Sequence, residues 1–164
     1  MLRAPKPRAA RRRLRQRRGA AVVEAALLLP VVLTLLLGMW EIGRMVEVYQ
    51  VLNNAVREGG RQAAAGQLSN SQVQQVVTYY LAQAGLTTTN VTVTVSDLTT
   101  PGTDATDATE LDQLKIIATI PFADVRWSPA TLVTNSTTTL SVTQLWYSNN
   151  NQAYPTNISV PPAY

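Results

Sequence analysis

With 164 residues, the chain has room for one small folded domain beside a membrane helix, and not for two independent cores. It contains no cysteine and no histidine, which removes Cys/His zinc sites, thiol nucleophiles and every Ser-His-Asp or Cys-His arrangement. The net charge of +4 conceals a division: residues 1–19 hold nine of the fourteen basic residues and no acid, so the body of the chain is acidic.

The basic arm, residues 1–19, includes Arg11, Arg12, Arg13, Arg15, Arg17 and Arg18, with Pro5 and Pro7 discouraging helix at its start. Residues 20–40 follow, apolar except for Glu24, Thr34 and the breaker-type residues Pro30 and Gly38. These 21 residues match the roughly 20 that a helix needs to cross about 30 Å of hydrocarbon. A buried core helix fits the length and flanks less well. A cleaved secretory signal has a shorter apolar stretch and a small-residue cleavage site, and GMWEIGRM offers none. The arginines orient the span with the arm in the cytoplasm and everything after it exported. Trp40 and Tyr49 are placed as interfacial residues on the outer side.

Residues 41–66 read as an extension of the helix beyond the membrane, with Ile42, Met45, Val46, Tyr49, Leu52 and Val56 as its apolar stripe. Glu41 with Arg44, Arg44 with Glu47, and Glu58 with Arg61 stand at helical spacing. Gly59-Gly60 reads as a weak point where the helix could bend, and Gly66 as its stop. A second helix, QVQQVVTYYLAQAG, is capped by Ser69 or Asn70 and presents Val73, Val76, Val77, Tyr80 and Leu81.

Three strands follow. Val91, Val93 and Val95 alternate with threonines; LKIIATIPFADV forms a second strand ending near Pro121; and residues 137–147 form a third, with Leu140, Val142 and Gln144 alternating. Between the first two, residues 99–112 read as a solvated loop with a Pro101-Gly102 turn. Its acids Asp104, Asp107, Glu110 and Asp112 lack the spacing of an EF-hand. Residues 148–164 read as a loosely ordered tail. The expected fold is therefore α+β: a long N-terminal transmembrane helix extending outward, a second short helix and a small antiparallel β-sheet. The helices and sheet bury their apolar faces against each other in a two-layer head over 67–147.

Few function classes survive. The arginine arm would attract phosphate, but it has no aromatic residue to stack bases and runs straight into the span, so anionic lipid is its partner and nucleic acid is not. Nothing points to an enzyme, a cofactor or a metal. The glycosylation-type triplets at Asn90, Asn135 and Asn157 are read as accidents of an Asn/Ser/Thr-rich chain.

At the junction RRGAAVVE, Gly19 ends the basic leader and Glu24 stands five positions later in an apolar run. A carboxylate there is costly. If the chain were cut after Gly19, the new amine on Ala20 would lie one turn from Glu24 at a helix N-terminus and offset that cost; a neighbouring subunit's amine could serve as well. The alternative is an edge charge solvated near Arg17 and Arg18.

This junction resembles the type IV prepilin family. The longer pattern, Gly19 to Pro30, then Glu41-Ile42-Gly43-Arg44, then Val56-Arg57-Glu58-Gly59-Gly60-Arg61, is similar to the TadE-like pseudopilins of Tad/Flp pilus systems. Ala25 replaces the aromatic usual after the glutamate, and Gly60 stands where alanine is common. The resemblance implies a Gly19–Ala20 bond cut by a prepilin peptidase and Glu24 as the assembly carboxylate. It also implies other pilins or pseudopilins and the assembly platform as partners, a place in the cytoplasmic (inner) membrane, and a role in pilus assembly, adhesion or secretion. Glu41, Arg44, Arg57, Glu58 and Arg61 are candidates for a packing or partner surface, with a solvated helix face as the alternative for the last three. The rival function is an unprocessed, signal-anchored binding or adhesion module.

Overall fold

The computed structural model describes residues 8–127 and 133–150, with side chains from Gly19 onward. Two helices, α1 (Arg8–Ala64) and α2 (Asn70–Gln83), precede three strands, β1 (Thr92–Asp97), β2 (Gln113–Pro121) and β3 (Thr139–Tyr147), with a 3-10 turn at Phe122–Asp124. The fold is α+β.

Helix α1 runs without a break through Pro30, Gly38 and the Gly59-Gly60 pair. Proline removes one intrahelical donor, and the Thr34 hydroxyl bonds back to the Pro30 carbonyl at 2.8 Å, so its own polar group is satisfied within the helix. From Val22 to Leu37 the large apolar side chains are covered by nothing, with exposures from 47% (Leu37) to 71% (Leu27). A helix of this length and composition is long and apolar enough to cross a membrane.

The strands form one antiparallel sheet in the order β1-β2-β3. Val95 stands opposite Ile116, Ala118 opposite Val142, and Ile120 opposite Leu140. Leu114, Ile116, Ala118 and Ile120 alternate inward along β2, as period-two geometry requires. The inward face is covered by α1 over β2 and β3, and by α2 over β1. Val48, Leu52, Ala55 and Val56 of α1 and Val73, Val77 and Leu81 of α2 complete a single core. Ser69 caps α2 through a reciprocal box with Gln72.

Four expectations are corrected. The buried stripe of α1 includes Leu52 and Val56 as expected, but Ile42, Val46 and Tyr49 remain 47% to 50% exposed, and Val48, Ala55 and Ala63 are buried instead. Small residues decide this. A side chain on Gly59 would meet Val77 Cγ2 at 2.5 Å, and one on Gly60 would overlap the Trp146 indole. The glycine pair is thus not a bend but a double notch, admitting α2 on one side and β3 on the other. The acidic loop is not simply solvated either. Asp104 accepts the Asn70 amide at the start of α2 at 3.0 Å, Asp112 accepts the Thr109 amide at 2.6 Å, and Ala105 and Ala108 are buried. The first residues of the expected tail are also engaged: Ser148 is buried, and the Asn149 amide bonds the Ala64 carbonyl at 2.9 Å. Residues 151–164, including Asn157, lie outside the described residues.

Candidate functional site

Two regions of α1 carry the residues singled out from the sequence. At the N-terminal end, Gly19, Ala20 and Glu24 lie on exposed helix, and no neighbour approaches Gly19. Glu24 follows Ala20 by four residues, one helical turn. Arg11, Arg12, Arg13, Arg15, Arg17 and Arg18 fall on the preceding turns, where the backbone alone is described.

The second region lies where the apolar run ends. Glu41, the residue after Trp40, is buried. Its carboxylate accepts the Val133 amide at 2.9 Å, the Thr134 amide at 3.1 Å and the Thr134 hydroxyl. One turn on, Arg44 donates from Nε to the Val125 carbonyl at 2.9 Å and pairs through Nη1 with Glu47 at 2.9 Å. Its guanidinium carbon sits 4.5 Å from the centre of the Trp127 ring. Trp127 meets Trp40 edge-on, with centroids 6.2 Å apart. Glu41 and Arg44 therefore clamp both limbs of the 122–134 connection onto the helix. Charge-assisted hydrogen bonds of this kind are among the stronger ones in proteins. Glu41 and Arg44 work within the chain, and Glu47 balances the arginine.

Glu58 and Arg61 behave differently. They form a two-pronged pair, at 2.6 and 3.0 Å, on an exposed face, and Gln62 adds a bond to Glu58 at 2.8 Å. The Arg61 bond, then the Gln62 bond, hold the Glu58 carboxyl at about 2, below the ordinary 4.5. A depressed carboxylate pKa adds stability that is complete above pH 4.5 and is lost as pH falls towards about 2. The Glu58 side chain is 32% exposed and Arg61 63%, so solvent screening keeps the contribution small. Glu58→Gln is expected to lose that small contribution at neutral pH and with it the acid-side slope, so that unfolding midpoints of the two chains converge as pH falls towards about 2. Arg57 is exposed beside them. With Asn54, Tyr80 and Trp146, these three charged residues line a shallow groove of about 260 Å³ between α1, α2 and β3.

Sequence reading missed the partners of this helix. Thr134 and Val133 lie more than ninety residues from Glu41, and Trp127 carries no local signal that would place it over Arg44. The two glycosylation-type asparagines among the described residues have structural uses: Asn90 donates to Asp124 at 2.8 Å, and Asn135 accepts the Thr137 amide at 3.1 Å.

Residues 19–61 match the family described as TadE-like protein, about a quarter of the chain. Neither a curated protein nor a solved structure matches. The matched stretch contains Glu24, Glu41, Arg44 and the glycine pair, and it ends before Val77, Trp127, Thr134 and Trp146, which those helix residues receive. Over residues 19–61 the N-terminal helix is thus similar to the TadE-like family, and the match stops short of the head.

Proposed function

We propose that this chain is a non-enzymatic, membrane-anchored minor pseudopilin that takes part in assembling a Tad/Flp-type pilus or secretion apparatus. The observation that carries the reading is the TadE-like match over residues 19–61, spanning the apolar helix and its junctions. In this reading the arginine arm stays in the cytoplasm by the positive-inside rule, and the head faces the outside of the cytoplasmic membrane. A prepilin peptidase cuts between Gly19 and Ala20. Glu24 then answers the new amine, its own or a neighbour's, as the apolar helices come together. The other proteins it meets are pilins or pseudopilins and the assembly platform.

Cutting inside α1 requires the helix to open locally at Gly19, and glycine lowers that cost by about 1 kcal/mol relative to alanine. The deciding measurement is the mature N-terminus of the chain from membranes of its native host, by mass spectrometry. A start at Ala20 is expected, and Gly19→Val is expected to retain the leader. A start at Met1 with active peptidase present would sink the pseudopilin reading in favour of an unprocessed anchor carrying a binding or adhesion head.

A further inference from the structure

The apolar surface of α1 does not stop at Trp40. The connection between β2 and β3 returns to the helix there and adds Trp127 and Val133, at the level of Gly38 to Arg44. Trp127 is 65% exposed although its ring meets Trp40 edge-on, Trp40 itself is 60% exposed, and Val133 is 54% exposed. A side chain on Gly38 would stand 3.7 Å from Val133 Cγ2, so Val133 extends the surface of the last apolar turn sideways from the helix axis. Tryptophan, with an apolar ring and one polar N–H, favours the headgroup layer of a bilayer over either water or hydrocarbon.

The polar groups at this level suit the same place. A carboxylate one residue past the apolar run would be expensive beside lipid, yet Glu41 is enclosed by its three donors from Val133 and Thr134. Arg44 is covered by Trp127 and bonded to Glu47 and Val125, its side chain only 10% exposed. Glu41 and Arg44 face inward while Glu47, further along the helix from the apolar run, stays 54% exposed, and Trp40, Trp127 and Val133 face outward.

We infer that Trp127 and Val133 form a second membrane contact, which seats the head on the headgroup layer of the bilayer that α1 crosses. The occupant of this surface is lipid, because it is continuous with the uncovered apolar face of the helix. The head stands upright on that seat: the far end of its sheet is tied to Ala64 through Asn149, about 35 Å along the helix from Trp40. The inference rests on the reading of α1 as the membrane anchor, and the experiment separates the two.

The chain has no cysteine of its own, so single spin labels can be placed at Val133→Cys, at Leu29→Cys within the apolar run and at Leu98→Cys at the far end of the sheet. Each full chain is reconstituted in phosphatidylcholine–phosphatidylglycerol vesicles, and accessibility to oxygen and to a water-soluble nickel chelate is compared. The oxygen-to-nickel ratio at 133 is expected to exceed that at 98 severalfold and to fall below that at 29. Equal, water-like ratios at 133 and 98 with a lipid-like ratio at 29 overturn the second contact and leave the anchor intact. A water-like ratio at 29 overturns both. Shielding of 133 from both reagents means a protein covers this surface, and overturns the inference too. On the chain without labels, lipids brominated near the headgroup are expected to quench tryptophan emission, and Trp127→Phe to lower the quenched fraction. An unchanged fraction counts against the contact.

Discussion

Glu41→Ala is expected to destabilise the seating of the head on α1 by about 3 kcal/mol, because it strips a buried acceptor from two amides and a hydroxyl at once. Thr134 is buried, so its amide and hydroxyl would lose their partner without gaining water. Hydrogen bonds to a charged group contribute about 1.5–3 kcal/mol, and an orphaned buried donor costs a comparable amount. Contributions within one cluster do not add, so the estimate stays near that of one strong bond and one orphan. Glu41→Gln keeps a carbonyl acceptor in place and is expected to lose about half as much.

The loss should be local before it is global. Amide hydrogen exchange on the full chain in detergent reads it directly. A weakening of about 3 kcal/mol corresponds to roughly a hundredfold faster exchange at Val133 and Thr134. Amides of Ile116 and Leu81, deep in the core, should change far less. Unchanged exchange at 133 and 134 would show that the clamp contributes little. The same variant should also free Trp127, since Arg44 and Glu41 hold the two limbs of one connection.

Gly60→Ala is expected to lower stability by about 2 kcal/mol, against the direction that helix propensity dictates. In an exposed helix interior, alanine is favoured over glycine by about 1 kcal/mol. Here a methyl group would overlap the Trp146 indole, which occupies the space beside Gly60. Trp146 sits on β3, opposite Leu114 of the central strand, so it cannot retreat without moving an edge of the sheet. Overfilling a site of this kind costs about 1–3 kcal/mol. Urea unfolding of the full chain in detergent, followed by tryptophan emission, measures the net sign. Trp146→Leu in the Gly60→Ala background should recover most of the loss. If Gly60→Ala alone stabilises the chain, the notch has no packing role. Trp146 supplies the physical reason for a glycine at position 60.

Much was legible from periodicity and composition because those signals are local. The apolar run announced a helix that can span a membrane, and the threonine-valine alternation of β1 announced a half-buried strand, since side chains two apart share a face. Ser69 at the cap of α2 and the stop at Gly66, whose φ is +67°, were readable for the same reason. The motif Glu41-x-x-Arg44 stood out as a pair, but its purpose did not, because its partners come from residues 125–134.

The face of α1 that turns inward was read only in part, Leu52 and Val56 correctly and its first turns not, for a related reason. Counting apolar side chains favours Ile42, Val46 and Tyr49, whereas burial follows where another backbone can come close, and that is set by Ala55, Gly59, Gly60 and Ala63. The acids of the 99–112 loop looked solvated because charge usually means solvent, and only the fold brought the Asn70 amide to Asp104. Sequence alone thus determined the elements, their order and the segment apolar enough to cross a membrane, all governed by interactions within a few residues. Tertiary structure alone decided which glycines are notches, which charges are clamps and where the two exposed tryptophans meet, because each depends on chain segments tens of residues apart sharing one small volume.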